Sequence, residues 1–230
     1  YFIIKGIFIY YTIRISEMPI NSHMESSNIL VSFDAETVFR HADKVSRGGM
    51  IIFDSSLSET VLEEVPTIDF EANKRIRKLL QDSGQSISLS GMLELAKARG
   101  CMVYGLPYFE MIEAVAKNMN DPKLSKLSRV VNVMAISASI SLLGIKKDML
   151  VGAIQEVFGS KPKLLTSNIE AAGYAYSYIS TKYDTKNIKY KITSKDALKD
   201  YLLISGSQAA AVGKILGGCR FQTYYPITPA

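Results

Sequence analysis

The sequence predicts an α/β domain built on parallel strands. Two observations carry this. Asn28–Phe33 and Met50–Phe53 are unbroken apolar runs, each ended by an acid, Asp34 and Asp54. Strands buried on both faces of a parallel sheet read this way. Between them lies a helix-spaced segment, and a strand–helix–strand unit of this kind pairs in parallel through a right-handed crossover.

Each element follows in order. Tyr1–Ile15 is rich in Ile, Phe, Tyr and Thr, which favour strands. Gly6 divides it into strands over Tyr1–Lys5 and Ile7–Ile15. It is too short to span a membrane, and Lys5 and Arg14 interrupt it. With no initiating Met, the chain is expected to start inside a domain. Residues 16–27 are polar and read as a loop. Ala35–Val45 sets Val38, Ala42 and Val45 on one helical side, and Gly48-Gly49 is expected to end that helix. Pro66–Asp69 is a short extended piece. Glu71–Gln81 is a helix with Ile76, Leu79 and Leu80 inward, and Ser90–Arg99 another, with Ser90 as its cap. Cys101–Tyr104 is the third buried strand, and Pro107 opens a helix over Tyr108–Asn118.

From Lys126 to Phe158 the pattern is helical, with an apolar stripe of Val133, Ile136, Ile140 and Leu143, ended by Gly144. In the next helix Met149, Leu150, Ala153, Ile154 and Val157 are expected to face the core, and Gly159 to end it. Ser167–Thr181 is a small-residue helix and Lys182–Lys199 a charged linker. Ala209–Leu216 is a helix, and Arg220–Tyr224 a strand leading into Tyr225-Pro226-Ile227-Thr228-Pro229-Ala230. Two prolines stiffen that last loop and fix the direction of the Thr228 hydroxyl.

Composition narrows the functional classes. Net charge is +5, but no basic block carries interleaved aromatics, which argues against nucleic-acid binding. Cys101 and Cys219 are isolated, so neither a disulfide scaffold nor an iron–sulfur ligand set is expected on this chain, and a reducing cytoplasm fits. No membrane partner is expected. His23 and His41 lack a second ligand at metal spacing and read as surface residues. Asp34 and Asp54 stand where open α/β sheets place ligands, and equally where helix caps stand. Asn132, in a mostly apolar helix one turn after Arg129, is expected to bond to a neighbouring loop in the core.

Two regions resemble a known family. Gly206-Ser207-Gln208-Ala209-Ala210-Ala211-Val212-Gly213, then Gly217-Gly218-Cys219-Arg220-Phe221, Tyr224 and Tyr225-Pro226-Ile227-Thr228-Pro229, are similar to the opening of the pyrimidine-binding domain of 2-oxoacid:ferredoxin oxidoreductases. Ser32-Phe33-Asp34-Ala35-Glu36-Thr37-Val38-Phe39 and Ser128-Arg129-Val130-Val131-Asn132 resemble the gamma domain fused ahead of it. The resemblance implies a three-layer α/β gamma domain over residues 1–183, with a mostly parallel central sheet and a smaller antiparallel sheet. It implies a linker over 184–200, and over 201–230 the first helix and strand of a thiamine-enzyme pyrimidine-binding domain.

It also implies oxidative decarboxylation of a 2-oxoacid to an acyl-coenzyme A, with electrons passing to ferredoxin. Thiamine diphosphate, Mg and an iron–sulfur cluster are expected on a partner beta subunit, with coenzyme A as co-substrate. By this match Thr228 is the catalytic candidate, donating a hydrogen bond to the substrate carboxylate or its decarboxylating adduct. Tyr225, Pro226, Ile227, Thr228 and Pro229 form the substrate-binding loop. The alternatives are an indolepyruvate-type oxidoreductase subunit and a non-catalytic α/β assembly module.

The sequence departs from the family pattern at several points. The opening strand and glycine-rich loop are not present. Ile7 and Phe8 stand where relatives carry a basic residue and a histidine, and Ser207 and Gln208 where they carry Asn and an acid. The chain stops before the acid that follows the last motif. A fragment inactive by itself is therefore expected, with an exposed sheet edge where the first strand would pair.

Overall fold

The computed structural model describes residues 11–16, 20–22, 24–121, 129–193, 204–223 and 225. The chain divides into two compact units, Tyr1–Thr193 and Ser194–Ala230.

The first unit is a three-layer α/β sandwich. Strands β1 (Ser27–Val31), β2 (Val45–Asp54) and β3 (Met102–Leu106) form a parallel sheet in the order β1-β2-β3. Side chains alternate across it, as a pleated strand requires. Met50, Ile52, Tyr104 and Leu106 face one helical layer; Ile51 and Phe53 face the other. Each such large apolar side chain, buried in full, stabilises the fold by about 1.5–3 kcal/mol. β2 is the strand with an unbroken buried run; β1 and Met102 and Val103 of β3 are half-buried or exposed. The expectation of full burial for β1 fails because it lies at the sheet's edge among the described residues.

On one face lie α1 (Ala35–His41), α2 (Phe70–Asp82) and α3 (Leu89–Ala98). Side-chain caps define their starts. Asp34 accepts from the Thr37 amide, Asp69 from Ala72 and Ser88 from Gly91. The cap of α3 is thus Ser88, two residues ahead of the Ser90 the sequence suggested. The first helix also ends earlier than expected, at His41. A 3₁₀ turn, Ala42–Lys44, follows, and Val45 already belongs to β2. Gly48-Gly49 therefore lies inside a strand rather than at a helix end. β1 residues Ser27 and Ile29 pair with Val45 and Met50, so residues 46–49 bulge out of the ladder. Gly48 adopts φ +74°, and a Cβ on Gly49 would stand 2.7 Å from the Asn28 carbonyl oxygen. Both positions require glycine.

On the other face lie α4 (Tyr108–Asn118), α5 (Arg129–Leu142), α6 (Lys147–Phe158) and α7 (Pro162–Lys182). Fully buried alanines, Ala135 and Ala138 of α5 with Ala171 and Ala175 of α7, let these helices approach closely. The expected α5 stripe is corrected. Val130, Met134, Ala135, Ala138 and Leu142 are buried, Val133 and Ile140 pack toward α6 and α7, and Ile136 is exposed. A helix packed on two sides has no single apolar stripe. On α6 only Leu150 and Ile154 are buried; Met149, Ala153 and Val157 face solvent. Asn132 is exposed, not bonded in the core.

Residues 183–193 lie along this layer. The Tyr183 hydroxyl donates to the Gly105 carbonyl at 2.7 Å, Ile188 is buried in the core, and the Ile192 amide donates to the Leu143 carbonyl at 2.9 Å. In the second unit α8 (Gly206–Leu216) starts three residues earlier than the sequence suggested, at a capping box of Ser205 and Gln208. None of its residues is buried.

Several expected elements do not form or fall elsewhere. Tyr11–Ile15 is exposed and forms no strand, and Arg220–Thr223 forms no strand. Tyr1–Lys5 and Ile7–Tyr10 lie outside the described residues, as does His23. The described residues hold one sheet and a single antiparallel bridge, Val61 to Ser88; a second, antiparallel sheet is not among them.

Candidate functional site

The carboxyl ends of the three strands meet at the position where open parallel sheets bind ligands. β1 delivers Ser32, Phe33 and Asp34; β2 delivers Asp54, Ser55 and Ser56; β3 delivers Leu106, Pro107 and Tyr108.

Asp34 uses both carboxylate oxygens on Thr37, accepting from its amide at 2.7 Å and its hydroxyl at 3.0 Å. The Ser32 hydroxyl donates to the Asp34 carbonyl at 2.5 Å. Asp54 accepts from the Ser56 amide at 3.0 Å and its hydroxyl at 2.7 Å, capping the 3₁₀ turn Ser55–Leu57. Of the two readings left open for these acids, the structure selects caps.

Tyr108 is buried beneath the β1 loop. Its hydroxyl reaches the Ser32 carbonyl at 3.5 Å, and its ring lies 6.4 Å from that of half-exposed Phe33. Burial, reinforced by the charge of Asp54, pushes its phenol well above the usual value. It stays neutral and serves as a donor. Gly105 lets the strand ends close, since a Cβ there would stand 3.1 Å from that of Ser55. Sequence reasoning passed over Tyr108; its signal was the place just after Pro107, where a strand end turns into a helix.

This end of the sheet is therefore built to hold loops in register. Both carboxylates are engaged as caps of the turns that follow β1 and β2. A separate cleft of about 200 Å³ opens between α4, α6 and α7, lined by Val115, Asn118, Lys147, Glu170 and Tyr174 among others.

Of the predicted site residues, Tyr225 is exposed and in irregular backbone. Pro226, Ile227, Thr228 and Pro229 lie outside the described residues. His41 is half-buried rather than a surface residue, and burial, with Lys44 nearby, holds its imidazole below the usual value. Cys101 is buried and donates to the Ser46 carbonyl at 3.5 Å, whereas Cys219 is exposed. Among the described residues no three His, Cys, Asp or Glu side chains converge as metal ligands. No helix among the described residues is long and apolar enough to cross a membrane.

Comparison with known proteins gives a consistent result. Residues 3–178 match the family model of pyruvate ferredoxin/flavodoxin oxidoreductases. The chain is 34% identical over 227 residues to the alpha subunit of 2-oxoacid:ferredoxin oxidoreductase 1 from Sulfurisphaera tokodaii, covering 99% of this chain and 34% of that subunit. It is 33% identical over 228 residues to the corresponding alpha subunit of Saccharolobus solfataricus, with the same coverages. It thus spans about a third of the length of these relatives. Among solved structures, a 2-oxoglutarate:ferredoxin oxidoreductase from Magnetococcus marinus, with 2-oxoglutarate, coenzyme A and succinyl-CoA bound, matches with a TM-score of 0.60. That match has 21% identity and covers 93% of this chain and 30% of that one, which establishes likeness of fold.

Proposed function

Because the chain belongs to the pyruvate ferredoxin/flavodoxin oxidoreductase family, we propose that it is part of a 2-oxoacid:ferredoxin oxidoreductase alpha subunit. Residues 1–183 would be its gamma domain, 184–200 a linker and 201–230 the start of the pyrimidine-binding domain. The enzyme oxidatively decarboxylates a 2-oxoacid. Carbon dioxide leaves, the acyl group is transferred to coenzyme A, and two electrons pass to ferredoxin.

One observation carries this reading. The identity to alpha subunits runs over 227 residues, well past residue 178 where the family match stops. Those relatives are named for 2-oxoacids, which favours this function over an indolepyruvate-type subunit or a non-catalytic module. A beta subunit is the partner we assign for thiamine diphosphate, Mg and the cluster, as the family resemblance implies. Thiamine diphosphate, when bound, supplies the nucleophilic carbon and the electron sink of the reaction. This chain's part is support and orientation. Thr228, between Pro226 and Pro229, donates its hydroxyl to the substrate carboxylate, and the prolines hold it in that direction. Cys101 and Cys219 are both free thiols, which fits a reducing compartment, so we place the enzyme in the cytoplasm.

The test is the complete gene co-expressed with its partner subunit. Coenzyme A-dependent viologen reduction with a 2-oxoacid is expected; none with any 2-oxoacid overturns the reading. Within the active complex, Thr228→Val is expected to lower turnover by about 10²–10³, as loss of an oriented donor does elsewhere. Unchanged turnover would return Thr228 to a turn residue.

A further inference from the structure

The C-terminal end of α5 is completed by residues far along the chain. Gly144 adopts φ +77°, and the Gly144 and Ile145 amides donate to the Ser141 and Ile140 carbonyls, each at 3.1 Å. This is a left-handed glycine stop that closes the last turn on itself. The next two carbonyls, of Leu142 and Leu143, are taken by the 183–193 segment. The Lys191 ammonium donates to the Leu142 carbonyl at 3.2 Å and to the Thr185 carbonyl at 3.0 Å. The Ile192 amide donates to the Leu143 carbonyl at 2.9 Å. The negative end of the helix dipole favours a cation at this place as well.

Gly144 serves both halves of this arrangement. A Cβ there would stand 3.3 Å from the Lys191 Cδ, so the glycine also leaves room for the lysine stem. The other end of the segment is tied at the sheet. The Tyr183 hydroxyl donates to the Gly105 carbonyl, and its ring meets that of Tyr104 edge-on at 5.1 Å. Between the two ties little is buried. Ile188 is the one buried residue of 184–193, with half-buried Tyr183 and Tyr190 packed against the same core. A segment tied at its ends and thin in buried contact opens locally before its domain unfolds.

We propose that residues 183–193 are a clasp, locked onto the end of α5 by Lys191, that opens as one piece while the rest of the first unit stays folded. The clasp does not depend on the oxidoreductase reading. It moves the start of the linker proposed above from residue 184 to Ser194. It also sets how much chain joins the two units. With the clasp closed, residues 194–205 lead to α8; with it open, residues 184–205 do, roughly twice as many. A longer connection lowers the effective concentration of one unit at the other. Neighbouring lysines do not share the role. The Lys189 ammonium sits over the Tyr190 ring at 5.5 Å, and that of Lys182 donates to the Tyr178 hydroxyl.

The experiment is hydrogen–deuterium exchange at single-residue resolution on the complete gene product in its native assembly. In the parent protein the Ile192 amide is expected to exchange faster than the amides of α5 and slower than free chain. Lys191→Met keeps the stem and removes the ammonium. It is expected to speed exchange at Ile192 about ten-fold and to leave α2 unchanged. Lys189→Met, the control, should leave Ile192 as it is. Equal exchange at Ile192 in the parent and in Lys191→Met would overturn the lock. Parent exchange as slow as that of α5 would mean the segment opens only with its whole domain, and exchange as fast as free chain would make it a plain linker; either overturns the clasp. Should Lys191→Met fail to fold, the parent's exchange at Ile192 decides between the clasp and those two limits.

Discussion

The two helical layers flanking the sheet are stabilised by different physics. The α1–α3 layer is fastened by polar groups. Asp34, Asp69 and Ser88 cap its helices, Glu36 holds Arg40 at 2.6 Å, Arg40 reaches Asp69 at 3.0 Å, and Arg75 holds Asp43 at 2.5 Å. The α4–α7 layer has no side-chain caps at the starts of α4, α6 or α7, and no ion pair of the described residues joins its helices. Buried alanines and apolar contact dominate it, with few polar ties: the Ser141 hydroxyl of α5 donates to the Tyr176 carbonyl of α7 at 3.1 Å, and the Tyr176 hydroxyl to the Ile145 carbonyl at 2.9 Å. Charge and hydrogen-bond changes should damage the first layer, and volume changes the second.

The largest test is Arg40→Ala. It leaves Glu36, 4% exposed, with only the Thr67 hydroxyl as a partner. Stranding a buried charge costs about 3 kcal/mol. The exposed pair Arg77–Glu63 provides the control, and Arg77→Ala should cost less than about 1 kcal/mol. Equal losses in urea unfolding would show that the Glu36–Arg40–Asp69 network is no different from a surface pair.

Two helix-interior glycines give opposite signs. A Cβ on Gly91 of α3 would stand 2.0 Å from the Ser86 carbonyl oxygen, so Gly91→Ala should destabilise by about 2–3 kcal/mol. Gly152 of α6 has nothing within 4 Å, and Gly152→Ala should stabilise by about 0.5–1 kcal/mol through helix propensity. The same sign at both sites would contradict the geometry. On the second layer, Ala175→Leu forces a larger side chain between α5 and α7 and should cost about 1–2 kcal/mol.

What the sequence revealed follows from how local each signal is. β2 and β3 were legible in part, through the apolar runs Met50–Phe53 and Cys101–Tyr104, although β2 begins at Val45 and β3 continues to Leu106; α4 was legible because Pro107 marks its start. The bulge was not legible, because Gly48-Gly49 reads equally as a helix stop; only the pairing of Ile29 with Met50 shows which it is. The outward faces of α5 and α6 were misread because Ile136, Met149 and Val157 fit an amphipathic stripe, yet no described partner covers them. At the candidate site, Asp34 and Asp54 were found by position, but cap or ligand is decided by what their oxygens touch. Thr228 came from family resemblance alone, since a Pro-x-Thr-Pro turn by itself specifies only a direction for one hydroxyl.

The smallest effect separates the layers by pH. The amide of Ala72, and then the guanidinium of Arg40, hold the Asp69 carboxyl below its usual range. A carboxyl depressed in the folded state stabilises fully above its unfolded pKa, about 3.9, and loses that contribution as pH falls through the lower folded value. In an Asp69→Asn variant the amide oxygen would still cap α2, since Asn and Asp are comparable caps, but the charge would be gone. The stability gap between the parent chain and Asp69→Asn should therefore be full at pH 6, begin to narrow below about 3.9, and close only as pH falls through the lower folded value. The loss caused by Ala175→Leu should stay constant over the same window, because no titrating pair joins α5 to α7 among the described residues. A gap at Asp69 that does not change with pH would mean its oxygen acts as a neutral cap only. The contrast between a layer held by charge and one held by packing would then rest on Glu36 and Arg40.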